Sequence, residues 1–229
     1  MRRAGFRRHV ADPILVVYAI GLPAIGTLAA VVAAWTSWSS ATRGMAAAEK
    51  RQWIGRFLVF LQLPFFMILF GLVLFVLFLG RAGRPSGQTE WAALAYGISG
   101  MLTGFAFAIV FRGGVAHSIA VSRDFGRVLV LATLPETVAL FGFSLAFLIL
   151  GQSAPDDPIS IGVVVEASRT AALWMIAGSF VAPVEAYAMV AYWRFESLKR
   201  WTRAIVIGAL LKVPLVIAYA LAFLALGPL

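Results

Sequence analysis

The chain has 229 residues, 62% of them apolar and 13% charged, with 7 Trp, 18 Phe, no Cys and a formal net charge of +9. A mean hydropathy of +0.92 excludes a soluble enzyme, a disordered chain and a disulfide-stapled domain, because it exceeds what one soluble core could bury. The absence of cysteine also removes thiolate metal sites and redox chemistry.

Apolar stretches fall near 14–35, 57–80, 91–111, 128–151, 171–193 and 204–227. Each is long enough to cross a ~30 Å hydrocarbon layer at 1.5 Å per residue. Lipid offers no partner to the backbone, so these stretches predict helices rather than open strands. The expected class is an all-α, multi-pass integral membrane protein with six transmembrane helices. The linkers 81–90 and 151–159 carry the Gly, Pro and Ser of turns.

The basic residues sit between spans. Ten follow the odd spans: Arg43, Lys50, Arg51, Arg56, Arg123, Arg127, Arg194, Lys199, Arg200 and Arg203. Six lie on the opposite side: Arg2, Arg3, Arg7, Arg8, Arg81 and Arg84. The positive-inside bias then places the odd-to-even loops in the cytoplasm and both termini outside. The N-terminal arginines pull the other way, and a basic start before an apolar run also fits a signal peptide cut near Ala34. No basic stripe with interleaved aromatics marks a nucleic-acid surface. Trp35, Trp38, Trp53, Trp91, Trp193 and Trp201 fall at span ends, as in an interfacial belt.

A shift of 71 lays GRFLVFLQLPFFMILFGLVLFVLFLG (55–80) on GRVLVLATLPETVALFGFSLAFLILG (126–151). Half of the 26 positions are identical, Gly55/Gly126, Arg56/Arg127, Pro64/Pro135 and Gly71/Gly142 among them. A further shift of 76 lays 126–151 on 202–227 without a gap. Three tandem helical hairpins follow, at 1–81, 82–152 and 153–229. The odd spans are rich in Ala and Gly and suit crowded inner positions; the even spans are rich in Leu and Phe and suit an outer layer.

Within this frame the stretch FGRVLVLATLPETVALFGFSLAFLIL (125–150) resembles the outer helix of the c subunit, or proteolipid, of vacuolar and archaeal-type rotary ATPases. The preceding GISGMLTGFAFAIVFRGGVAHSIA (97–120) resembles that family's glycine-rich inner helix, and the whole chain resembles its triplicated-hairpin form. The resemblance implies a non-catalytic rotor-ring subunit that translocates protons, or less readily sodium ions, with no resident cofactor. It also implies copies of itself in a ring, a stator subunit with an arginine, a central stalk at the cytoplasmic loops, and a prokaryotic cell membrane. The ion carrier carried over by motif is Glu136.

The residues themselves support that choice. An acid in mid-span is costly unless neutral or paired, so it marks an ion path or a partner. Thr133 and Thr137 stand close enough to offer hydroxyls to its carboxyl. Only the second hairpin holds this acid; the matching positions are Phe65 and Lys212. With the turn centred near 124–125, Arg112 reaches the depth of Glu136 within roughly 2 Å, and a salt bridge between them would give a non-translocating c-like scaffold instead. Glu185 and Lys212, ~7 Å apart in depth, read as a structural pair, with Glu185 the weaker candidate for a second ion site. A small six-helix transporter is the remaining alternative. His117 reads as interfacial rather than as a proton relay, Gly113 and Gly114 as packing or kink positions, and Asp156, Asp157 and Glu166 as solvated residues of the connection between spans four and five.

Overall fold

A computed structural model describes residues 13–80, 86–152, 158–193 and 198–227. Arg2, Arg3, Arg7, Arg8, Arg81, Arg84, Asp156, Asp157, Arg194 and the Lys199 side chain, which entered the charge reading, lie outside the described residues. All regular structure among the described residues is helical. Six spans are long and apolar enough to cross a membrane: α1 (Pro13–Ala41), α2 (Ala47–Leu79), α3 (Gly87–Ala120), α4 (Ser122–Gly151), α5 (Ile159–Trp193) and α6 (Arg200–Leu226). This is a multi-pass integral membrane protein.

The helices run beyond the apolar stretches that predicted them. Hydropathy reads only the hydrocarbon thickness, whereas a helix that has begun continues into the headgroup layer while its hydrogen bonds remain unbroken. Thus α2 takes up Glu49, Lys50 and Arg51 ahead of residue 57. The linker expected at 81–90 ends early, because its last residues already belong to the helix Ser86–Ala120. Glu166, expected in a loop, lies on α5 in an exposed pair with Arg169 at 3.4 Å.

Proline interrupts the spans unequally. α2 is continuous through Pro64. By contrast α4 is interrupted between the helical segments Phe125–Thr133 and Glu136–Gly151, and α6 between Leu198–Leu211 and Val213–Leu226. α5 breaks at Phe180, three residues before Pro183. A proline removes one N–H and its ring crowds the carbonyl four residues earlier, which accounts for breaks just upstream of Pro183 and Pro214 and at Pro135 itself.

α3 holds the centre. It packs against α1 on one side and α5 on another, while α4 lies along it and α6 lies along α5. Small residues permit the α1–α3 approach: a side chain on Gly97 would overlap the Tyr18 carbonyl, and one on Gly104 the backbone of Gly26. Large apolar side chains point outward instead, among them Leu69, Val76, Leu210, Val216 and Leu224. In water such a surface would aggregate; around a membrane span it is the face that meets lipid.

Candidate functional site

The break in α4 follows from its sequence. Pro135 has no N–H, so the Leu131 carbonyl loses its donor four residues on. The chain tightens instead: Thr137 N donates to Leu134 O at 3.4 Å and Val138 N to Pro135 O at 3.0 Å. The helix restarts at Glu136, which therefore occupies a helix first turn inside the span. The positive end of the half-helix dipole makes such a turn one of the few intramembrane places suited to an acid.

Glu136 is half-buried and joins no ion pair among the described residues. The hydroxyls expected to reach it go elsewhere. Thr133 Oγ1 donates to Val130 O at 3.0 Å and Thr137 Oγ1 to Leu134 O at 2.9 Å. The reason is local: each hydroxyl has one hydrogen, and a carbonyl on its own helix lies nearer than a neighbouring carboxyl. Thr103 on α3 holds the other side of the break, its Oγ1 3.4 Å from Pro135 O.

Arg112 does not meet Glu136. The expected equality of depth required a turn near 124–125, but α3 ends at Ala120 and a 3₁₀ turn, Ser122–Asp124, begins the return. The register sets Gly114 against Val128 and Thr103 against Pro135. Arg112 is thus roughly 10 Å nearer the loop than Glu136. Its side chain is exposed and forms no ion pair among the described residues.

The third hairpin presents the opposite arrangement. Gly178 lies against Ala218, and Gly208 against Met189 and Glu185. That register brings Glu185 and Lys212 level, removing the ~7 Å offset expected from the sequence. Lys212 Nζ stands 3.6 Å from Glu185 Oε1 and donates a 2.7 Å hydrogen bond to Leu134 O on α4. Glu185 is fully buried, and neither carboxylate oxygen has a hydrogen-bond partner among the described residues. Lys212 therefore touches both the acid of its own hairpin and the break that carries Glu136.

Sequence reasoning missed Asp124. It is buried at the α3–α4 turn, where Oδ2 lies 2.8 Å from His117 Nε2 and Oδ1 pairs closely with Arg127. Its spacing three residues before Arg127 was the available signal. His117 thus belongs to a turn lock, stacked edge-on against Trp193 at 5.6 Å. Trp193, at the end of α5, is buried, and the His117 ring lies against it. Trp201 Nε1 donates to Arg127 O at 3.3 Å, tying the third hairpin to the same turn. Gly114 meets Val128, a packing position.

Comparisons with known proteins give partial matches. Residues 91–149, which include most of α3, the turn and Glu136, match the family of the ATP synthase C subunit. The chain is also 33% identical over 117 residues to the A-type ATP synthase subunit K of Methanocaldococcus jannaschii, covering 48% of this chain and 53% of that protein. It thus spans about half the length of the curated relative it matches. No solved structure matches it.

Proposed function

From residues 91–149, which match the ATP synthase C subunit family, and six long helices that fit a triplicated form, we propose that the chain is a rotor-ring subunit of an archaeal or vacuolar-type rotary ATPase. In this reading it passes ions through the membrane by reversible neutralisation of Glu136, catalyses no reaction itself and has no resident cofactor. The observation that carries the reading is Glu136: an intramembrane acid at the start of a half-helix, engaged by no cation of its own chain among the described residues. Such an acid is stable in lipid only when a passing ion neutralises it or an outside partner faces it. A proton is favoured over sodium, because a sodium ion needs several oxygen ligands and the neighbouring sequence offers Glu136 only the hydroxyls of Thr133 and Thr137.

The remaining parts of the machine follow from the reading. Copies of the chain close a ring, a stator arginine faces Glu136 in turn, and a central stalk meets the loops after α1, α3 and α5 on the cytoplasmic side. One carrying acid per three hairpins lowers the number of ions moved per turn, which suits pumping better than synthesis. The scaffold alternative needs Glu136 clamped by Arg112, and their difference in depth speaks against it.

A carbodiimide tests this directly, since it modifies a carboxyl that becomes protonated in a low-polarity setting. In native membranes near neutral pH it should modify Glu136, and protons or sodium in excess should alter the rate. An unmodified Glu136 in an intact assembly would falsify the carrier role.

A further inference from the structure

Glu185 is a fully buried carboxylate for which the carrier reading has no use, and it lies on α5, whereas Lys212 lies on α6. Lys212 occupies the position that the repeat assigns to Glu136. Around the Lys212 ammonium stand the Glu185 carboxylate at 3.6 Å and the Leu134 carbonyl at 2.7 Å. A carboxylate and a backbone carbonyl converging from two helices are the ligands a hard monovalent cation would take. Gly208 supplies the room: even a methyl there would stand 3.1 Å from Glu185 Oε1.

We propose that Glu185 and the Leu134 carbonyl form a cation site whose permanent occupant is the tethered ammonium of Lys212. The third hairpin then carries its own counter-ion and exchanges nothing with the surroundings. The site also joins the two hairpins, because the carbonyl belongs to the break that presents Glu136. As a statement about ions carried per protomer, the proposal rests on the rotor reading above; as a statement about Glu185 it does not. Two features separate it from an ordinary buried ion pair. Neither Glu185 oxygen is hydrogen-bonded among the described residues, so the ammonium is the group that balances its charge, and that ammonium is shared with a second helix.

The test is site-resolved carbodiimide modification of the full chain in membranes, read by mass spectrometry, in the wild type and in Lys212→Met. Methionine nearly keeps the length of the side chain and removes its charge. The wild type should show no adduct at Glu185, and Lys212→Met should show one comparable in extent to that at Glu136, because the emptied site must take a proton or ion from outside. An adduct at Glu185 in the wild type, or none in an accumulated Lys212→Met, overturns the proposal. If Lys212→Met does not accumulate, Glu185→Gln/Lys212→Met decides: recovery to wild-type amounts supports mutual neutralisation, and failure overturns it. Loss of the Glu136 adduct in every background would sink the carrier reading while leaving the Glu185 result standing.

Discussion

The second and third hairpins place opposite charges at one position of the repeat. Glu136 and Lys212 both stand where a helix is interrupted in the membrane interior, and both interruptions involve proline. Glu136 has no cation of its own chain beside it among the described residues, whereas Lys212 has Glu185 beside it and a carbonyl beneath it. The first hairpin has Phe65 there, more than half exposed, on a helix that runs unbroken through Pro64. The comparison teaches that a break in a helix does not by itself decide what the charge beside it can do. An intramembrane charge with a built-in partner is finished structure; one without it still has a partner to find.

Replacing the unpartnered charge should have the largest effect. Glu136→Gln is expected to abolish ion passage and carbodiimide modification at that site while leaving assembly intact, checked by proton flux in reconstituted vesicles and by native gel migration. Replacing one member of the partnered pair should harm folding instead. Glu185→Gln leaves Lys212 uncompensated and should cost roughly 3–5 kcal/mol, seen as lower accumulation and thermal stability in detergent. Adding Lys212→Met should recover most of that loss. If both single changes produced the same phenotype, the contrast between the hairpins would collapse.

Smaller changes sharpen the comparison. Thr103→Val removes the hydroxyl that steadies Pro135 O and should cost about 1 kcal/mol in thermal unfolding, with a measurable change in the rate of Glu136 modification. Arg112→Gln should shift stability by no more than about 0.5 kcal/mol, since the side chain is exposed and unpaired among the described residues. A large effect of Arg112→Gln on Glu136 modification would restore the clamped scaffold.

The spans were legible because hydropathy over a bilayer's thickness leaves few alternatives. Register was not. Asp124, which the sequence reading passed over, is folded into the turn by its bonds to His117 and Arg127, and the reversal lies toward Val121, carrying Arg112 away from Glu136. The Lys212–Leu134 contact was invisible for another reason. It crosses from one hairpin to the next and ends on a backbone carbonyl, which has no residue type to read. Glu185 and Lys212 were recognisable as a pair by charge alone, but not as neighbours of the α4 break.

The most direct test of the central claim, that Glu136 gains and loses its charge freely, is infrared difference spectroscopy of the membrane-embedded protein across a pH step. A protonated-carboxyl carbonyl band should appear and vanish with pH, be absent in Glu136→Gln, and persist in Arg112→Gln. A spectrum in which no such band depends on Glu136 at any pH, in an intact assembly, would contradict the account.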